Sequence, residues 1–95
     1  MRLANKTAII TGGGSGIGKA CARAFCREGA NVVLFGRRIQ NLEETARELG
    51  SQALVVQGDM TQSKDLDRLV TETRNKFRHI DILVNNAGLF KGAPL

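Results

Sequence analysis

The chain has 95 residues, 42% of them hydrophobic and 24% charged, with a formal net charge of +5; this suits one small globular domain with a thin core. No apolar run is long enough to cross a bilayer, and residues 7–11 are too few for the core of an export signal, so a cytoplasmic protein without a membrane partner is expected. The positive charge does not by itself point to nucleic acid, because four Phe with no Tyr or Trp leave few stacking platforms.

Short β-branched runs alternate with helical stretches. Thr7-Ala8-Ile9-Ile10-Thr11 reads as a buried strand, followed by a glycine loop. The first helix carries Ile17, Ala20, Cys21, Ala24 and Phe25 on one face and stops at Gly29. Cys21 and Cys26 lie on it five residues apart. That spacing fits neither a zinc pair nor a Cys-x-x-Cys motif and turns the thiols to different faces, so two reduced cysteines are expected. Asn31 to Phe35 is the second strand, and Leu42, Ala46 and Leu49 form a second helical stripe ended by Gly50. Ala53-Leu54-Val55-Val56 is the third strand. Thr61 or Ser63 offers a cap for a third helix with the stripe Leu66, Leu69, Val70, Thr73 and Phe77. Ile80-Asp81-Ile82-Leu83-Val84 is the fourth strand, and Asn85 to Leu95 is a loop. The order βαβαβαβ, with nearly continuous apolar strands, predicts an α/β fold: a parallel sheet with helices on both faces. Right-handed crossovers make it Rossmann-type, with strand order 3-2-1-4. Residues 1–95 then form one partial domain with no second domain.

Between the first strand and the first helix lies Thr11-Gly12-Gly13-Gly14-Ser15-Gly16-Ile17-Gly18. Glycines let the backbone turn sharply and let a ligand approach closely, and the helix start aims free N–H groups at an anion. Gly18 sits inside the first helical turn, where it permits close helix–strand packing. The strict G-x-G-x-x-G pattern is not met. The segment does resemble the Thr-Gly-x-x-x-Gly-Ile-Gly motif of the short-chain dehydrogenase/reductase family. Asn85-Asn86-Ala87-Gly88 resembles that family's second signature, and Gly58-Asp59-Met60 is a third, weaker mark. All three sit at the carboxyl ends of strands, where open α/β sheets bind ligands.

The resemblance implies a nicotinamide nucleotide. Gly12, Gly14, Ser15, Gly16, Ile17 and Gly18 should surround its diphosphate and nearby ribose. Asp59 should bond the adenine amino group with the Met60 backbone alongside; a helix-capping or solvent carboxylate is the alternative for Asp59. Asn86, Ala87 and Gly88 should line the adenosine ribose and tie the fourth strand to the Thr11 turn; for Asn85 and Asn86 a purely structural turn is the alternative. NAD-preferring Rossmann proteins usually place an acid at the end of the second strand. That end reads Phe35-Gly36-Arg37-Arg38, which suits the 2′-phosphate of NADP and makes NAD the less favoured cofactor. The family's other usual basic position holds Ser15.

The family's chemistry needs a Tyr with a Lys four residues later, and the chain contains no Tyr. No catalytic residue and no metal ligand is therefore assigned. His79, the only histidine, is expected on the surface at the amino end of the fourth strand. The chain is expected to be a fragment whose sheet is truncated after the fourth strand, leaving Ile82-Leu83-Val84 as an open apolar edge. The parent protein would be an NADP-preferring oxidoreductase acting on alcohols or carbonyls, in a homo-oligomer, with this chain inactive by itself. The alternative is a non-catalytic module that binds a dinucleotide or captures subunits. No nucleic acid partner is expected.

Overall fold

The computed structural model describes residues 2–12, 14 and 16–85. Four strands alternate with three helices: β1 (Thr7–Thr11), α1 (Gly16–Arg27), β2 (Asn31–Gly36), α2 (Ile39–Leu49), β3 (Ala53–Gln57), α3 (Ser63–Phe77) and β4 (Ile82–Asn85). A 3-10 turn over Gly50–Gln52 joins α2 to β3. All pairings are parallel and the order is β3-β2-β1-β4, as the apolar runs and right-handed crossovers predict.

The two central strands are buried on both faces, and their alternation divides the core in two. Ala8, Ile10, Val32 and Leu34 meet Ala22 of α1 and Leu42 of α2 on one side. Ile9, Val33, Phe35 and Val56 meet Leu69 of α3 on the other. Register carries this across the sheet: Ile9 lies opposite Val33 on one flank and Leu83 on the other. β4 pairs only with β1 among the described residues, and Leu83 is 64% exposed.

Three local expectations need correction. The inward face of α1 is turned from the expected stripe: Gly18 and Ala22 are its buried residues, while Ile17, Ala20 and Ala24 are exposed. The smallest side chains allow the closest helix–sheet approach; Gly18 fills the packing role expected of it, and it is the apolar stripe that differs. Cys21, Phe25 and Cys26 flank this contact. Both thiols are free, and burial pushes the Cys26 thiol up.

At α3, neither Thr61 nor Ser63 caps the helix. Gln62 precedes it without a side-chain cap bond. Two carboxylates organise the approach instead: Asp59 Oδ1 accepts from the Thr61 N–H at 2.9 Å and the Thr61 hydroxyl at 2.8 Å, and Asp65 Oδ2 accepts from the Asp59 N–H at 2.8 Å. On the inner face Leu69 and Thr73 are buried, but Val70 is 37% exposed. The Thr73 hydroxyl donates to the Leu69 carbonyl at 2.7 Å, which removes the cost of burying it.

β4 begins at Ile82, not Ile80. Asp81 is engaged just before it: its N–H donates to the Thr7 carbonyl at 2.9 Å, and its carboxylate accepts from the Thr7 N–H at 2.9 Å.

Candidate functional site

The carboxyl ends of β1, β2 and β3 open onto a cleft of about 610 Å³. Gly12 forms one wall. Its φ of 69° is left-handed, and its N–H donates to the Phe35 carbonyl at 2.8 Å, folding the loop onto the end of β2. Gly14 sits against α2: a Cβ there would lie 2.7 Å from Asn41 Cβ. Gly16 is different, since a Cβ on it would meet nothing within 4 Å among the described residues. Neither packing against those residues nor a left-handed φ calls for that glycine, and the start of α1 leaves room for a ligand there. Gly58 closes the floor, with its N–H donating to the Gly36 carbonyl at 2.9 Å. A Cβ on Gly58 would come within 2.7 Å of the Phe35 ring.

Arg37 and Arg38 stand at the mouth, on the link from β2 to α2. Both are exposed, and neither guanidinium has an ion-pair or hydrogen-bond partner among the described residues. Arg37 is held through its backbone, where its carbonyl accepts from Gln57 Nε2 at 3.0 Å. Arg38 precedes α2 without capping it by a side-chain bond, and the first turn of α2 contains no acid. The cations therefore meet no carboxylate within that turn, and the helix dipole disfavours them by about 0.3–1 kcal/mol each. An anion in the cleft would offset that cost.

Six of the expected site residues come together in this cleft: Gly12, Gly14, Arg37, Arg38, Asp59 and Met60. Gly16, Ile17 and Gly18 form the first turn of α1 beside it, with Gly18 buried. Ser15, Asn86, Ala87 and Gly88 lie outside the described residues. Asp59 lines the cleft, and its carboxylate holds the turn into α3 without capping that helix.

Sequence reasoning missed Asn41 and Gly36 as lining residues. A polar residue in the first turn of a helix that starts at the cleft is the signal that marks Asn41. Asn85 makes a structural contact, in line with the alternative given for it. The tie from β4 to the Thr11 turn includes the Thr11 hydroxyl, which is 3.1 Å from Asn85 Oδ1 and 3.2 Å from the Val84 carbonyl oxygen.

His79 lies at the opposite end of the sheet, as expected. Its Nδ1 is 2.6 Å from Asp81 Oδ2. The Thr7 N–H, and then His79 and Lys6, hold the Asp81 carboxyl below its ordinary range against the opposing effect of desolvation. Among the described residues there is no cluster of metal-ligating side chains, and no helix is long and apolar enough to cross a membrane.

A parallel 3-2-1-4 sheet with a glycine-rich loop and a cleft at its carboxyl edge defines a Rossmann-type α/β protein. Residues 6–95 match the short chain dehydrogenase family, and the chain belongs to that family. It is 45% identical over 95 residues to a sorbitol dehydrogenase of Cereibacter sphaeroides, covering 100% of this chain and 37% of that protein. A 3-ketoacyl-(acyl-carrier-protein) reductase from Brucella melitensis, solved in complex with NADH, is 41% identical with a TM-score of 0.83, covering 85% of this chain and 34% of that one. A glucose/ribitol dehydrogenase-type short-chain dehydrogenase/reductase from Brucella melitensis is 32% identical with a TM-score of 0.88, covering 99% and 40%. The chain thus spans little more than a third of the length of these relatives.

Proposed function

We propose that this chain supplies the nucleotide-binding part of an NADP-preferring short-chain oxidoreductase, one that moves hydride between NADP(H) and an alcohol or carbonyl. The observation that carries the reading is the pair Arg37 and Arg38 at the cleft mouth, with no acid at the end of β2. The Brucella reductase binds NADH, which supports a nicotinamide nucleotide in a cleft of this kind. The preference for the phosphorylated form rests on the arginines, because guanidinium groups bind phosphate strongly and often bidentately.

The residues of this chain bind and orient. Gly12, Gly14, Ser15, Gly16, Ile17 and Gly18 surround the diphosphate and nearby ribose, and the open space at Gly16 fits that placement. Asp59 and the Met60 backbone meet the adenine, and Asn86, Ala87 and Gly88 the adenosine ribose. With no Tyr in the chain, no Tyr-x-x-x-Lys proton donor is present, and the chain by itself is expected to be inactive. We place the protein in the cytoplasm and the parent in a homo-oligomer.

Titration with NADPH and NADH, followed by nucleotide fluorescence, tests the reading. Arg37→Asp is expected to weaken NADPH binding about 10- to 100-fold, the worth of a hydrogen bond to a charged group, with little effect on NADH. Equal losses for the two nucleotides would defeat the preference, and failure of the folded protein to bind either would defeat the function.

A further inference from the structure

We propose that the outer edge of β3 is a pairing surface for a second copy of this chain, and that Arg68 and Lys76 of α3 hold it closed. β3 pairs only with β2 among the described residues, so its other side faces outward. Nothing in this inference depends on what the cleft binds.

In a parallel pair, successive residues turn their N–H and C=O groups alternately toward and away from the neighbouring strand. The Gly58 N–H donates to the Gly36 carbonyl, which puts Leu54, Val56 and Gly58 on the β2 side. Ala53, Val55 and Gln57 therefore present their backbone groups at the outer edge. Such an edge is a template for another strand. A two-fold pairing of identical strands is antiparallel, and centring it on Val55 sets Ala53 opposite Gln57 of the second copy. The Ala53 and Gln57 carbonyls would then accept from the second copy, while the two Val55 residues exchange bonds.

Those two carbonyls are already taken. Lys76 Nζ donates to the Ala53 carbonyl at 3.2 Å, and Arg68 Nη2 donates to the Gln57 carbonyl. The Ala53 N–H is engaged as well, donating to the Gly50 carbonyl. Asp65 and Glu72 lie 3.4 and 3.5 Å from the Arg68 guanidinium and keep it at its end of the strand. Lys76 Nζ stands 5.4 Å from the centroid of the Phe77 ring at the other end. About two turns apart on α3, the two cations span β3. In the symmetric pair, Lys76 of one copy would meet Arg68 of the other, so like charges oppose the approach. Only Val55 keeps both outward groups without a partner among the described residues, too few bonds to hold two copies.

The test is self-association of the 95-residue chain by sedimentation equilibrium, with hydrogen exchange of the Val55 amide read by NMR. Wild type is compared with Arg68→Met/Lys76→Met, which keeps the aliphatic stems and removes the donors, and with Arg68→Lys/Lys76→Arg, which keeps the donors. Both side chains are exposed, so the fold should survive either change. The methionine pair is expected to self-associate about tenfold or more tightly than wild type, because two acceptors are freed in each copy. Its Val55 amide should exchange more slowly as concentration rises, and the Lys/Arg swap should match wild type. If the methionine pair does not fold, Lys76→Met alone carries the same two measurements. Association no tighter than that of wild type overturns the proposal. Tighter association that leaves Val55 exchange unchanged puts the contact on another surface and overturns it too. So does a wild-type protein whose Val55 amide is already protected by self-association, since its edge would never have been closed.

Discussion

At the amino ends of β1 and β4, backbone and ionisable groups are paired within the chain. Thr7 and Asp81 exchange two hydrogen bonds, His79 reaches the same carboxylate, and the Asn31 N–H donates to the Lys6 carbonyl at 2.8 Å. At the carboxyl ends of β1, β2 and β3 the arrangement is the reverse. Among the described residues Arg37 and Arg38 have no side-chain partner, α2 starts without a capping bond, and a Cβ on Gly16 would meet nothing within 4 Å. One end of the sheet is closed by internal bonds, while the other leaves positive groups available to a ligand. Substitutions at the first end should change stability. Those at the second should separate stability from nucleotide binding wherever the residue is not itself packed.

The largest expected effect is at a packed position in the open end. Gly58→Val would drive a side chain into the Phe35 ring and Asp65, whose Cβ is 3.0 Å from the added atom. It should destabilise the fold by about 1–3 kcal/mol, measured by urea denaturation. A neutral result would mean that the cleft floor is looser than this contact indicates.

Arg38→Asp sharpens the comparison because its two effects have opposite signs. An acid at this position can cap α2 and meet its dipole favourably, so stability should rise by about 0.5–1 kcal/mol. NADPH affinity should fall about tenfold or more. Thermal melting and nucleotide titration of one sample read both effects, and a parallel rise or fall of the two would refute the separation.

Thr7→Val probes the closed end. Thr7 Oγ1 is buried with no partner among the described residues. Its removal by a side chain of similar shape should stabilise the chain by about 1 kcal/mol and leave nucleotide binding untouched. Denaturation that shows a loss instead would reveal a bond to that hydroxyl.

The smallest effect is expected at Asp81, whose exposure lets solvent screen its interactions. Its carboxyl is held below the ordinary aspartate range, so its contribution is complete above that range and is lost as pH falls through the folded-state value. Asp81→Ala should therefore melt slightly below wild type at neutral pH, and the gap should close in acid. A gap that widens on acidification would reverse the assignment.

Much of the fold was legible because its signals are local. The runs Ala8-Ile9-Ile10, Val32-Val33-Leu34-Phe35 and Ala53-Leu54-Val55-Val56 are continuously apolar, and that continuity calls for burial between helices on both faces. The cleft was legible in part for the same reason. A glycine loop between a buried strand and a helix marks an anion site, and Arg37-Arg38 without an acid is a statement about charge that requires no coordinates.

What remained depended on partners distant in sequence. Close packing at Gly18 was legible, but the apolar stripe along α1 did not reveal that Ala22, and not Ile17, Ala20 or Ala24, turns inward with it. The start of β4 at Ile82 depends on the pairing of Asp81 with Thr7, 74 residues away. Gly14 reads in the sequence as one of a set of phosphate-loop glycines, and only the packing of α2 places Asn41 against it. Element type and order follow from propensity, periodicity and chirality, which act within each segment. Helix rotation and the reason for each glycine follow from excluded volume between segments, which exists only once they are packed together.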